Sequence, residues 1–273
     1  MLEITRKTQL IPSRVDQTPL SCQHSGKGNP CLLFVHGWSC RGDYWQPQMD
    51  YFSYRHKVVC LDLPGHGDAP ATREDGSVEA FGEDVATITD TLGVPVVLIG
   101  HSMGGAVALE AARRIDSEQL AGVVLVDTFL INYGQLSGSD IDALYTPFVD
   151  DFEAAMTGLV DNCCVESTPG ALKTRLQTEM ASADPAWALP VWRSLLEWDP
   201  GQAFNSIKAP IHAINCPLLP ESTRARLATR MTESVIPETG HFLQMERPDA
   251  FNRTLKQVLD QFGCSAQHQT RPD

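Results

Sequence analysis

Four short runs of apolar residues punctuate the chain: 31–35 (CLLFV), 57–61 (KVVCL), 95–99 (PVVLI) and 122–126 (GVVLV). None alternates with polar residues, so both faces of each run are apolar. That is the pattern of a parallel strand sandwiched between helix layers. Between the runs the spacing changes. Val78, Phe81, Val85, Ile88 and Leu92 recur at helical intervals and line one face. Ala106, Leu109 and Ala112 to Arg114 do the same after residue 102. Strand and helix in alternation predict right-handed crossovers and a parallel sheet covered on both faces. The opening segment, 2–26, alternates and carries turn residues, as antiparallel edge strands do.

The rhythm breaks after Val126. Residues 130–209 show helical patterns at 139–160, 168–182 and 184–198 and no convincing strand. Thr168-Pro169 and Asp184-Pro185 read as an N-cap followed by proline at the first helical position. Strand character returns at 210–214 (PIHAI) and 233–237 (ESVIP), and 247–262 form a closing amphipathic helix. The expected organisation is an α/β core in two parts, 1–129 and 210–264, interrupted by a helical block at 130–209, with a flexible tail at 265–273. An insertion at the carboxyl edge of a parallel sheet sits where ligands bind, so the block is a lid candidate.

Composition narrows the partners. Among 273 residues, 21 are Lys or Arg and 34 are Asp or Glu, a formal charge of −13. Such a surface repels phosphate backbones, which argues against nucleic acid. The apolar fraction of 42 % is enough for a sizeable core. The N-terminus lacks the apolar centre of a secretory signal, and no run is long enough to cross a bilayer. Cys31 and Cys60 lie in buried-strand patterns, and Cys163-Cys164 has no CxxC partner. The eight cysteines read as reduced thiols of a cytoplasmic protein. Neither zinc-type spacing nor a nucleotide motif is present, so no metal and no cofactor is expected, and the partner is a small molecule.

The chemistry concentrates at Gly100-His101-Ser102-Met103-Gly104. A strand that turns sharply into a helix crowds the residues two before and two after the corner. Glycine there relieves the crowding and leaves the serine hydroxyl exposed. The corner also aims the Met103 N–H, at a helix N-terminus, at whatever the serine attacks. The plain alternative is a glycine-rich turn with a capping serine. A serine needs a base, and His241 follows the last strand and precedes the last helix, on the same edge of the sheet. His101 flanks the serine and His66 lies in a loop; both read as structural. At the end of the first buried run, Gly37 lets the chain turn so that the Trp38 N–H can act as a second oxyanion donor.

On these residues the chain resembles the α/β-hydrolase superfamily. The matching stretches are His36-Gly37-Trp38, 61–70 (LDLPGHGDAP), 100–105 (GHSMGG), 125–129 (LVDTF) and 240–251 (GHFLQMERPDAF). The resemblance implies a mostly parallel eight-stranded sheet with helices on both faces and a helical cap inserted after strand six. It implies Ser102 as nucleophile, His241 as base and the Trp38 and Met103 amides as oxyanion hole. One departure stands out. The family's acid usually follows strand seven, where this chain has Pro217 and Leu218. Some members, haloalkane dehalogenases and cofactor-free dioxygenases among them, take the acid from the end of strand six, where Asp127 stands here. Glu221 or a bare Ser-His dyad are the alternatives. The expected activity is carboxylesterase-like: cleavage of a small hydrophobic ester, lactone or related acyl substrate, or an activated carbon–carbon bond, through an acyl-enzyme. His36, Trp187 and Trp192 are expected near the substrate pocket, although cap aromatics more often pack against one another. Cofactor-free oxygenation of a heteroaromatic ring and non-catalytic ligand reception on the same fold are the rival readings.

Overall fold

The computed structural model describes residues 6–264; the tail expected at 265–273 lies outside the described residues. The strands are β1 (Lys7–Pro12), β2 (Pro19–Ser25), β3 (Cys31–Val35), β4 (Val58–Asp62), β5 (Val96–His101), β6 (Leu120–Val126), β7 (Ile211–Asn215) and β8 (Thr232–Val235). They form one sheet in the order β1-β2-β4-β3-β5-β6-β7-β8. β1 and β2, and β2 and β4, pair antiparallel. Every other pair is parallel. The alternating opening segment therefore supplies the antiparallel edge, and the unbroken apolar runs supply the parallel centre.

Burial on both faces explains those unbroken runs. Leu33, Val35, Leu98 and Val123 point into one core, beneath α2 (Val78–Leu92) and α3 (Met103–Ala112). Leu32, Phe34, Val97 and Val124, their neighbours in sequence, point into the other, beneath α1 (Gln46–Phe52) and α11 (Pro248–Gln261). Adjacent side chains on a strand leave opposite faces, so a strand covered twice must be apolar at every position. α2 starts at Ser77, whose hydroxyl accepts the Ala80 N–H at 3.2 Å, and stops at Gly93 in a left-handed conformation.

Five helices intervene between β6 and β7: α4 (Gly138–Asp150), α5 (Phe152–Cys163), α6 (Gly170–Ala181), α7 (Pro185–Glu197) and α8 (Gly201–Ser206). The helical pattern at 139–160 divides in two. Asp151 takes an extended conformation, ends α4, and caps α5 by accepting the Ala154 N–H at 3.0 Å. Asp184 caps α7 as the sequence predicts. Thr168 does not cap α6. That helix begins one residue later, after Pro169, because the Thr168 hydroxyl is committed elsewhere: it accepts the Val165 N–H and donates to Glu246. α9 (Glu221–Leu227) follows β7, and α10 (Leu243–Glu246) precedes α11. The insertion is tied to the core where Trp198 Nε1 donates to Glu110 Oε1 of α3 at 3.0 Å.

Away from the carboxyl edge, one buried ion pair joins the loop after β4 to α2, and the β1–β2 hairpin bonds to it. The Asp84 side chain is fully buried and meets Arg73 twice, Nη1 to Oδ1 at 3.0 Å and Nη2 to Oδ2 at 2.7 Å. Ser13 of the hairpin donates to Oδ1 at 2.5 Å. Removing the guanidinium strands a charge in the interior. Arg73→Met is expected to lower the unfolding free energy by about 3–5 kcal/mol, and adding Asp84→Leu to recover much of it, as read by urea titration.

Candidate active site

β5 runs to His101, α3 begins at Met103, and Ser102 alone makes the corner, with φ 54° and ψ −122°. A left-handed φ is costly for a residue with a side chain, and such strain concentrates where function over-determines the backbone. The flanking glycines are required by contact. A Cβ on Gly100 would run into the Gly104 carbonyl, and one on Gly104 into the Val35 carbonyl. The Ser102 N–H donates to Val126 O at 2.9 Å, which ties the corner to the end of β6.

The next residue along β6 is Asp127, fully buried, with φ 48°. A carboxylate without water must find donors inside the protein. Oδ1 accepts the Cys216 N–H at 3.0 Å, and Oδ2 accepts His241 Nδ1–H at 2.7 Å. The Cys216 thiol, 3.3 Å from Oδ2, is a further donor. Burial first and the Asp127 charge second hold that thiol well above its ordinary range, so it keeps its proton. Because a carboxylate only accepts, His241 carries its proton on Nδ1 and leaves Nε2 as the basic nitrogen. Glu221 is exposed in the first turn of α9, and Asp127 is the residue that occupies His241 Nδ1.

His241 lies between β8 and α10. Its N–H donates to Cys163 O, at the end of α5, at 2.7 Å. Its carbonyl accepts His101 Nε2–H at 2.9 Å, and the two rings are 4.6 Å apart. The neighbour of Ser102 thus braces the loop that bears His241. Burial, then the nearby His241, holds the His101 pKa well below 6.5, so His101 stays a neutral donor.

Against the corner lies the turn after β3. A Cβ on Gly37 would sit 3.1 Å from Ser102 Cβ. Cys40 N–H to Gly37 O, 3.2 Å, closes this turn and leaves the Trp38 N–H outside its hydrogen bonding. The Trp38 indole reaches into the insertion, donating to Ala188 O at 2.9 Å and stacking on Trp192 at 4.6 Å. Met103 opens α3, so its N–H has no partner within the helix. His36 stands behind this loop, almost fully buried. Its Nε2 accepts the Leu63 N–H and its Nδ1 donates to Gly37 O, so it shapes the turn and has no nitrogen left for a ligand. Trp187 donates to Pro64 O and Trp192 to Leu144 O, both buried among protein groups.

Sequence reasoning missed Cys163, Cys216, Thr168 and Glu246 as parts of this neighbourhood; their packing in three dimensions identifies them, and only Glu246 had a signal in the sequence, its place within the matching stretch 240–251. A groove of about 960 Å³ between α1 and α11, bordered by Tyr51, Tyr54 and Lys256, contains none of the candidate residues. Among the described residues no cluster of His, Cys, Asp and Glu forms a metal site, and no helix is long and apolar enough to cross a membrane. All eight cysteines are free thiols.

Residues 32–254 match the family model described as "Alpha/beta hydrolase family". The chain is 40 % identical over 80 residues to (E)-2-((N-methylformamido)methylene)succinate hydrolase of Acinetobacter baylyi, covering 29 % of this chain and 30 % of that protein. It is 29 % identical over 246 residues to the dihydrolipoyllysine-residue acetyltransferase component of the acetoin cleaving system of Pseudomonas putida, covering 86 % of this chain and 64 % of that protein. The chain thus spans less than two thirds of either relative. Among solved structures, an esterase from Exiguobacterium antarcticum superposes with a TM-score of 0.83 at 16 % identity, over 93 % of this chain and 100 % of that one, a likeness of fold.

His36, His66 and His101 are buried neutral, their pKa values held to about 4, to about 3 and well below 6.5, burial being the largest cause for each. The unfolded chain protonates all three near 6.5 and the folded chain does not, so acid favours unfolding. Stability is expected to fall as pH drops below about 6.5, by up to about 1.4 kcal/mol per pH unit for each histidine. Urea midpoints at about pH 7.5 and about pH 5.5 check this; a midpoint that rises on acidification contradicts it.

Proposed function

Because the chain belongs to the alpha/beta hydrolase family, we propose that it is a serine hydrolase acting on a small, hydrophobic ester, lactone or related acyl compound. The observation that carries this reading is the 2.7 Å bond from His241 Nδ1 to Asp127 Oδ2, beside a corner that presents Ser102. Ser102 Oγ attacks the substrate carbonyl while His241 Nε2 takes its proton. The Trp38 and Met103 N–H groups hold the oxygen that becomes negative. His241 returns the proton to the leaving group, and water, deprotonated in turn by His241, releases the acid from the acyl-enzyme. Asp127 keeps the ring in the Nδ1–H tautomer and stabilises its cationic form without taking a proton. No cofactor enters the scheme.

The helices of 130–209 act as a cap in this reading. Trp38, Phe148 and Trp192 form a buried aromatic cluster between the oxyanion turn and the insertion, which favours an apolar acyl or alcohol group. Relatives bearing the names hydrolase and esterase support the reaction class. Their substrates remain theirs.

A fluorophosphonate probe and a panel of p-nitrophenyl esters test the assignment. Ser102→Ala is expected to abolish labelling and turnover. Asp127→Asn is expected to reduce kcat on the order of ten-thousandfold by imposing the wrong tautomer, and Glu221→Gln to leave it unchanged. Labelling that survives Ser102→Ala overturns the nucleophile. Oxygen uptake with a heteroaromatic substrate in that same variant favours proton abstraction by His241 instead.

A further inference from the structure

Glu246, the last residue of α10, turns its carboxylate back onto the loop that bears His241. Oε2 accepts the Gly240 N–H at 2.9 Å and Oε1 the Phe242 N–H at 3.1 Å. These are the amides on either side of His241, whose own N–H goes to Cys163 O at 2.7 Å. Three consecutive main-chain donors are thereby fixed. Two anchors of the arrangement belong to the end of α5 and the turn that follows it: the Cys163 carbonyl, and Thr168, whose hydroxyl donates to Glu246 Oε2 at 2.8 Å. The same turn bonds once more to the segment ahead of His241, Ser167 Oγ to Glu238 O at 2.9 Å. The approach is so close that a Cβ on Gly240 would run into the Cys163 carbonyl.

We propose that Glu246 is a positioning residue for His241, held in register by Thr168, so that the α5–α6 turn of the insertion helps to place the base. The proposal rests on the reading of His241 as general base. A carboxylate is suited to the task because it presents only acceptors: both oxygens meet N–H groups, and charge-assisted bonds of this kind are short and directional. Glutamine cannot replace it. One end of its amide is a donor, and in either orientation that NH2 faces a main-chain N–H. His101 restrains the same loop from its carbonyl side, so His241 is gripped on both edges of its peptide unit. An imidazole displaced by about 1 Å loses on the order of a hundredfold in rate, which sets the scale of the effect.

The test uses Glu246→Gln, Thr168→Val and Thr168→Ser in the full chain. Glu246→Gln and Thr168→Val are expected to lower kcat on a p-nitrophenyl ester by about tenfold to a hundredfold with KM little changed, and Thr168→Ser to restore it. In both impaired variants the downfield proton resonance of His241 Nδ1–H is expected to shift or broaden. Unchanged kcat and an unchanged resonance in Thr168→Val, a substitution that preserves side-chain volume, overturn the proposal even if Glu246→Gln fails to fold. So does a loss that Thr168→Ser does not restore. Wild-type protein that neither labels nor turns over ester defeats the hydrolase reading alone; the resonance then still decides whether Glu246 and Thr168 hold the imidazole.

Discussion

A single carboxylate, sealed from solvent at the end of β6, organises the carboxyl edge of this sheet. Asp127 meets the end of β7 through Cys216 and the β8–α10 loop through His241, while its own N–H is bonded to Ile214 O. A buried charge tolerates few arrangements, because a carboxylate taken out of water without donors costs several kcal/mol. The three segments therefore converge on one point, and the imidazole they deliver arrives with its tautomer already chosen. The strained corner at Ser102 belongs to the same construction, since its N–H is held by the residue immediately before Asp127.

The parallel centre of the sheet was legible because burial on two faces leaves an unmistakable trace: 31–35, 95–99 and 122–126 are apolar without interruption, and β3, β5 and β6 occupy them. The Ser102 corner was legible because its geometry excludes side chains at two fixed neighbours, a demand that only glycine meets. Other features left weaker traces. Asp127 competed with Glu221 because sequence order alone does not say which carboxylate reaches the ring. The break between α4 and α5 was missed because apolar spacing continues across Asp151 while the backbone does not. Thr168 looked like a cap by its place before a proline, yet its hydroxyl answers to Glu246, 78 residues away. Interactions that use the main chain carry little residue signature, and so the clamp around His241 could not be read in advance.

The insertion is joined to the core at chemically different places. Near Glu110 a tryptophan N–H bonds a carboxylate, and near Pro64 another bonds a carbonyl. At the α5–α6 turn the bonds are short, polar and aimed at one loop. Over the β3 turn the join combines aromatic packing with a hydrogen bond: Trp38 lies against Phe148 and Trp192, and its indole N–H donates to Ala188 O at 2.9 Å.

Gly37 packs against Ser102, and the residue after it, Trp38, lodges its indole in the insertion, on Ala188 and Trp192. Two adjacent residues of one turn thus touch the serine corner on one side and α7 on the other, so the pose of the helical block and the shape of the corner are not independent of each other.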